Sequence, residues 1–526
     1  MLEICEIEEV EASIIGTFTG SHRLVVTYQD KTVANLDTQF LHDGRPERTL
    51  EAVWVMDNIG NAGNAQFSEP SDPYSTSLDE AMPWTSTLLT LLAHPTIASK
   101  EEVVRRYDHE VQGATVLKPL LGRAGNGPGD AAVLQPLLDE ESMAGIVLSN
   151  GVNPFYGSID PYHMAMNAVD EALRNLVAVG GDIEKAAILD NFCWGNPTDP
   201  LQLGMLVRAV KGCYDAALGF GTPFISGKDS LNNEYRTNGQ RSPVIPTLVI
   251  SAVGVIEDAA CTIDMSLKRA GNLMYQLGAT RNELAGSHYA ELFQPDIIQH
   301  MPGTTVPQVN VASARAIMKA IGEAIRKGLL QACHDLSEGG LAVAAAEMSL
   351  AGLLGMTINL KNLNVGAPLG TYSGRYFEGK EGVSVGAGVD EVWGGDACVA
   401  LEGGGRHSRE QDEGDASVPS PHHPTPAPTG AKPLPSGHHQ IPTPERPPWE
   451  ANTILLLSES PSRFLVEVAP EQREAFEAHM RSYNINDVAC IGLVTAAERF
   501  IIRHGEETLI DLPIEALQQA WKGGQA

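Results

Sequence analysis

The stretch KAAILDNFCWGNPTDPLQLGMLVRAVKGCYDAALGFGTPFISGKDSLNNEY (Lys185–Tyr235) decides the fold. Its apolar start, Lys185–Leu189, predicts a strand that runs out into the loop Asp190-Asn191-Phe192-Cys193-Trp194-Gly195-Asn196-Pro197. Helical periodicity follows over Leu201–Leu218. A second strand, Thr222–Ile225, then ends in Ser226-Gly227-Lys228-Asp229-Ser230, with Leu231-Asn232-Asn233 beyond. Strand, loop, helix, strand, loop is the rhythm of an α/β unit. Small residues, amides and ionisable groups at two successive strand ends are what a phosphate-rich ligand needs.

The alternation extends outward on both sides. Ala144–Leu148 and Leu248–Ile256 read as strands and Pro161–Val179 as a helix, so residues 86–263 form one α/β (α+β) domain. A second domain occupies residues 264–365 and 451–520. It holds a strand at Asn272–Leu277, helices at Val311–Leu330, Leu341–Leu350 and Pro470–Tyr483, and a strand at Arg463–Val468. Residues 57–85 are polar and rich in Gly, Pro and Ser, and read as a linker. Residues 366–450 break the pattern and become low-complexity from Gly403 onward. Such a segment cannot bury enough apolar surface to offset its ordering entropy and is expected to be disordered. Its histidines (His407, His422, His423, His438, His439) read as part of a solvated linker rather than a metal site.

The two ends of the chain resemble each other. Set without a gap, Ile14–Leu41 over Cys490–Leu517 matches Gly16 to Gly492, Thr19 to Thr495, Arg23 to Arg499, Thr32 to Thr508 and Leu36 to Leu512. This is an internal repeat. Residues 1–56, with strands expected at Ala12–Phe18, Arg23–Tyr28 and Thr32–Leu36, therefore read as the terminal strands of a domain whose body is absent, followed by one complete repeat.

Bulk properties narrow the function. The chain has 526 residues, 43% hydrophobic and 19% charged, as expected of a globular protein of several domains. A formal charge of −30 argues against nucleic acid and anionic membrane as partners, so a polyanion has to be held by local devices. The start, MLEICEIEEVEAS, lacks the features of a signal peptide, and the most apolar run, Val244–Ile256, is too short to cross a bilayer. Seven cysteines without CxxC spacing fit free thiols in a reducing, cytoplasmic setting.

Besides the two strand-end loops, three stretches carry chemistry. Gly127-Pro128-Gly129-Asp130 places an acid among glycines, and Asp160–Asp182 holds Asp170, Arg174, Asn175 and the Gly180-Gly181-Asp182 turn. A magnesium nucleotide needs close backbone approach and carboxylate or amide ligands, and Asp130, Asn175 and Asp190 are of the right types. Each also has a plain alternative: a turn for Gly127–Asp130, a surface i,i+4 pair for Asp170 and Arg174, a helix end for Asp182. The third stretch is His334-Asp335-Leu336-Ser337-Glu338-Gly339-Gly340, where Ser337 could simply cap the following helix. Neither a P-loop nor a dinucleotide fingerprint is present.

Seven motifs resemble phosphoribosylformylglycinamidine synthase, in particular the long synthetase subunit of the split, bacterial type. They are DHEVQG (Asp108–Gly113), LSNGVNPFYGSIDPY (Leu148–Tyr162), RNLVAVGGD (Arg174–Asp182), LDNFCWGNP (Leu189–Pro197), FISGKDSLNNEY (Phe224–Tyr235), HDLSEGGLAVA (His334–Ala344) and SESPSRFLVEV (Ser458–Val468). The resemblance implies a duplicated aminoimidazole ribonucleotide synthetase (PurM-like) fold, of which this chain resembles the C-terminal half. It implies ATP and Mg2+ as cofactors, and conversion of formylglycinamide ribonucleotide to the amidine with ammonia derived from glutamine. It implies as partners the missing N-terminal half, a glutaminase subunit and a small accessory subunit. It assigns Asp190 and Gly227 to ATP and Ser230 to substrate. Lys228 stands where the family often has a magnesium-binding asparagine; a protonated lysine cannot ligate a metal but can meet phosphate as a point charge. The family's catalytic residues lie in the other half. Asp130, Asn175, His334, Ser458, Glu459 and Ser460 would line a second, pseudo-symmetric nucleotide site. The alternative is a non-catalytic half that binds nucleotide as a structural or regulatory module.

Overall fold

The computed structural model describes residues 2–44, 46, 48–54, 84–107, 109–136, 142–237, 240–293, 304–369, 379–386, 398–400 and 451–523. The chain divides into two bodies, residues 1–51 with 381–405 and residues 52–380 with 406–526. The linker expected at 57–85 lies almost wholly outside the described residues, as do Asp108 and the histidine-bearing tract after Gly403.

In the first body, β1 (Arg23–Tyr28) and β2 (Lys31–Asp37) form an antiparallel hairpin. β3 (Arg48–Trp54) belongs to a separate three-stranded sheet with two later strands. The strand expected at Ala12–Phe18 is not formed: Ile15 and Phe18 are fully exposed there and no strand among the described residues pairs with them.

The second body opens with α1 (Trp84–Leu92) and builds a six-stranded sheet from β4 (Thr115–Leu117), β5 (Ala132–Leu134), β6 (Gly145–Val152), β7 (Ala187–Cys193), β8 (Phe224–Ser230) and a later strand. Between them run α2 (Pro161–Ala178) and α3 (Pro200–Phe220). The short β9 (Glu234–Thr237) and β10 (Gln240–Pro243) pair with each other, and β11 (Thr247–Ile256) completes the sheet in the order β4-β5-β6-β11-β7-β8. Only β7 and β8 are parallel in it, joined by the α3 crossover that the Lys185–Tyr235 pattern predicts.

Both helices begin on Asp-Pro. Asp160 and Asp199 accept the backbone N–H groups of Tyr162 and Leu201 at 3.0 and 2.9 Å, and the prolines occupy the first helical position, where no N–H is missed. Helix α2 is buried along all its residues except His163, because it lies against β6, β11 and α3 while also meeting the second sheet.

The second sheet contains β12 (Leu273–Leu277), β13 (Ala332–Asp335) and β14 (Gly355–Asn359). With them lie α4 (His288–Phe293), α5 (Val311–Arg326) and α6 (Gly340–Gly352). β15 (Gly379–Gly386) and β16 (Cys398–Ala400), inside the tract expected to be disordered, pair with each other, and β15 is the neighbour of β3. After α7 (Ala451–Leu457) come β17 (Phe464–Val468), α8 (Arg473–Ser482), β18 (Val488–Thr495), β19 (Arg499–His504), β20 (Glu507–Pro513) and α9 (Ile514–Trp521). The order is β13-β17-β12-β18-β14-β19-β20, antiparallel except for β14 with β19.

The terminal repeat is visible as structure. β1 and β2 correspond to β19 and β20 at one constant offset, and each pair is followed directly by a helix. The bulge between Val26 and Thr27 recurs between Ile502 and Arg503. The Arg23 Nε donates to Asn35 Oδ1 at 2.6 Å, and Arg499 Nε donates to Asp511 Oδ1 at 2.8 Å in the matching position. Burial separates the copies: Phe500 and Ile502 are fully buried, whereas their counterparts Leu24 and Val26 are exposed.

Candidate functional site

The sequence picks Asp190, Gly227, Lys228 and Ser230 as loop residues. They lie instead within β7 and β8, which pair in register with Asp190 opposite Gly227. A Cβ at position 227 would lie 1.9 Å from Asp190 Oδ1, so the carboxylate occupies the space that glycine leaves. Two-residue alternation along β8 puts Gly227 and Asp229 on the Asp190 face and Lys228 and Ser230 on the other. The structure therefore divides the four residues: Lys228 Nζ donates to Ser230 Oγ at 2.6 Å, apart from the Asp190 carboxylate. Asp190 is half-buried, and desolvation, reinforced by Asp229, pushes its carboxyl up to about 6. β8 is the edge of the sheet and Ile225 to Asp229 are exposed. Gly227→Ala is expected to displace the Asp190 carboxylate and bring its pKa back toward 3.8, measurable by carboxylate NMR titration; an unchanged titration would mean the contact is not made.

The second set converges better. A cleft of about 180 Å3, open to solvent, is lined by Asp130, Glu171, Asn175, His334, Asp335 and Glu347, with Thr96, Ser337 and Glu338 among the others. Asp130 comes from the turn before β5, Glu171 and Asn175 from α2, and His334 and Asp335 from β13. His334 Nδ1 meets Asp130 Oδ1 at 2.7 Å and its Nε2 meets Glu347 Oε2 at 3.1 Å. Burial works against a charge on this ring, but Asp130 and Glu347 outweigh it and hold His334 well above the ordinary histidine range. With both nitrogens donating to carboxylates, His334 is a fixed cation, not a metal ligand as it stands. Asp130 Oδ2 is buried and has no hydrogen-bond partner among the described residues. Burial raises Glu171, Glu338 and Glu347, so a cleft this acidic favours an added cation.

Ser458, Glu459 and Ser460 do not line that cleft. Ser458 and Ser460 hydroxyls bond each other and the Arg281 carbonyl, and Arg463 donates to the carbonyls of Ser458 and Ser460 at 2.5 and 2.7 Å. Glu459 accepts from Tyr156 Oη at 2.5 Å and from the backbone N–H groups of His288 and Gly339 at 3.0 and 2.8 Å. They form a buried turn behind the cleft. Ser337 does not cap α6; Gly339 stands at that N-cap, with no side-chain bond. Gly340 follows with φ +63°, and a Cβ there would lie 2.4 Å from the Ser458 carbonyl oxygen.

Asp170 and Arg174 are not a surface pair. Arg174 is buried between Asp170 and Asp335, donating from Nε and Nη2 to Asp335 Oδ2 at 3.1 and 3.0 Å and from Nη1 to Asp170. The cleft instead takes the adjoining helix face, Glu171 and Asn175. Their i,i+4 spacing was the available signal for Glu171. Glu347, on α6, reaches His334 only through the fold.

Comparison with known proteins accords with this architecture. The sequence profile described as "AIR synthase related protein, N-terminal domain" matches residues 128–256, and "AIR synthase related protein, C-terminal domain" matches residues 269–385. The phosphoribosylformylglycinamidine synthase subunit PurL of Anaeromyxobacter dehalogenans is 36% identical over 65% of this chain and 42% of its own length. That of Rhodospirillum rubrum is 34% identical over 70% of this chain and 46% of its own. The chain is a relative of PurL, built on paired AIR synthase-related domains. It spans less than half the length of either relative. The structure of PurLQS from Thermotoga maritima shares the fold, with a TM-score of 0.51 at 14% identity over 85% of this chain and 53% of that one. A T. maritima PurL complexed with FGAR matches with the same TM-score over 84% of this chain and 54% of that one. The C-terminal match continues through residues 366–385, which the composition alone had set apart from the domain.

Proposed function

We propose that this chain supplies the C-terminal half of a phosphoribosylformylglycinamidine synthase, working in the cytoplasm. It acts with an N-terminal half, a glutaminase subunit and a small accessory subunit. ATP phosphorylates the glycinamide carbonyl oxygen of formylglycinamide ribonucleotide, and ammonia released from glutamine displaces phosphate to give the amidine, the formyl group being retained. The observation that carries this reading is the Asp190–Gly227 pair on an exposed sheet edge: a carboxylate seated over a glycine, with no second wall to enclose it among the described residues. The exposed β1–β2 hairpin, repeating a hairpin that is buried at the other end, supports the reading of residues 1–56 as the close of a preceding domain. No helix among the described residues is long and apolar enough to cross a membrane.

The acidic cleft fits Mg2+. Asp130, Glu171, Asn175 and Asp335 offer hard oxygen donors, and the unpartnered Asp130 Oδ2 offers a free lone pair. When bound there, magnesium would neutralise a nucleotide's phosphates, and the chain's own part is to hold those oxygens in place. His334, charged and pinned by two carboxylates, positions Asp130. Because this cleft is lined by residues of one chain, it also supports the second reading, a nucleotide-binding module without catalysis of its own.

The test is reconstitution. The chain alone is expected to bind magnesium nucleotide without forming the amidine, and turnover is expected once the N-terminal half and a source of ammonia are added. Turnover by the chain alone would overturn the half-site reading. Binding without turnover in the full mixture would favour the non-catalytic module.

A further inference from the structure

We propose that His94, His288 and Glu291 form a binding site for a divalent transition metal of the zinc class, separate from the acidic cleft. The side chains come from the turn that follows α1 and from the start of α4. Helix α1 ends just before His94, whose carbonyl accepts from the N–H groups of Ile97 and Ala98 at 2.9 and 2.7 Å, which fixes the turn. Helix α4 begins at His288, and Glu291 lies one turn further on the same face. One ligand atom from each of the three lies within 4.8 Å of the others. His94 Nε2 is 3.5 Å from Glu291 Oε2, and the two imidazole rings stand edge to face with centroids 5.1 Å apart. Tetrahedral zinc with bonds of roughly 2.0–2.1 Å needs its ligand atoms about 3.3 Å apart, within reach of small side-chain rotations.

The buried state of the ligand atoms points to an ion. His288 is only 5% exposed, and its Nε2 is buried without a hydrogen-bond partner among the described residues; Glu291 Oε2 is likewise buried and unmatched by a hydrogen bond among them. Buried polar atoms left unmatched are costly unless a ligand takes them up. The other ring nitrogen of His288, Nδ1, lies 3.2 Å from Glu459 Oε1, the oxygen that also accepts the His288 backbone N–H. Glu459 is itself held by Tyr156 and Gly339. A carboxylate that fixes one imidazole nitrogen as donor leaves the other free to ligate, which is how metal-binding histidines are oriented. Phe155 packs edge-on against the same ring, 6.1 Å between centroids.

Two histidines and one carboxylate select zinc-class ions over Mg2+ or Ca2+, and three protein ligands leave a fourth position for water. The ion would stand as a positive charge beside Glu291 and the ring that Glu459 holds. His94 Nδ1 accepts from the Thr96 N–H at 3.2 Å, so loading shifts the His94 proton to Nδ1 and gives up this solvent-facing bond. The ion would tie the segment leading into the first sheet domain to the start of the second.

Zinc titration of the chelator-treated full chain by calorimetry, with Co2+ absorption as a coordination signature, tests the site. One zinc is expected, weakened at least about tenfold in both His94→Ala and His288→Gln and unchanged in Asp130→Asn. His94→Ala changes a partly exposed turn and keeps the test decisive if the buried His288 variant does not fold. Failure of the intact chain to take up zinc overturns the proposal. So does uptake unaffected by His94→Ala, uptake lost in Asp130→Asn, or uptake lost only when His407, His422, His423, His438 and His439 are changed to glutamine. None of these outcomes bears on amidine formation.

Discussion

Replacing Arg174 with leucine is expected to lower the unfolding free energy by about 3–5 kcal/mol, the range for removing one partner of a buried ion pair. Arg174 is 3% exposed, and Asp170 and Asp335 are 0% and 3% exposed. One guanidinium thus faces two buried carboxylates. Burial opposes the charge on Arg174, but Asp170, Asp335 and Glu171 outweigh it and hold the group ionised. Asp170 also accepts the Ser462 N–H at 3.0 Å and its hydroxyl at 2.6 Å, so the triad joins α2 of the first sheet domain to β13 and the turn before β17 of the second. Leucine would leave both buried acids without their guanidinium, and the joint should open at lower denaturant. The comparison is Arg106→Leu, whose partner Glu102 is an exposed i,i+4 neighbour. That change is expected to leave the urea midpoint where it is. Equal midpoints for the two variants would show that the triad does not hold the domains together.

Asp190→Asn in the reconstituted synthase is expected to lower kcat/KM for ATP roughly 10- to 100-fold, the effect of losing a charged hydrogen-bonding group worth about 1.5–3 kcal/mol. Unchanged kinetics would remove Asp190 from the site. The same substitution carries a pH signature with a definite sign. Partial burial, then Asp229, raises the carboxyl from 3.8 to about 6, so between those values the folded chain holds a proton that the unfolded chain has lost. Asp190 therefore favours the folded state at low pH, and that contribution falls as pH rises through 6. Asparagine cannot titrate, so the variant's urea midpoint should decline less over this interval. For the same reason a cation bound at Asp190 should bind more tightly as pH passes 6, and this gain should vanish in the variant. Parallel pH curves for the two proteins would show that Asp190 is not the titrating group.

Much of the candidate chemistry was legible from residue types, and the misreadings share a cause. Asp190 and Gly227 were singled out because glycine beside ionisable groups is hard to explain by packing. Their assignment to loops failed because polar residues at an exposed strand edge look the same as polar residues in a turn. Lys228 was placed with Asp190 through the family resemblance, while strand alternation turns it to the opposite face. Along α2, Asp170 and Arg174 drew attention as a charge pair. Their neighbours Glu171 and Asn175 line the cleft because a four-residue step keeps to one helix face and a one-residue step rotates by about 100°.

What local pattern decides, the sequence decided alone. Apolar runs and helical periodicity set the β7–α3–β8 crossover, Asp-Pro set both helix starts, and the terminal repeat predicted two matching hairpins that carry the same bulge at the same place. These depend on contacts between residues close in the chain, or on a comparison of the chain with itself. The tertiary structure decided which groups meet: Arg174 with Asp335, His334 with Asp130 and Glu347, His94 with His288. Such partners are brought together by sheet order and by two domains packing on one buried helix, and no local pattern records that distance. The buried cost of a charge, and hence the shifts at Asp190 and His334, likewise exists only once the surrounding chain has excluded water.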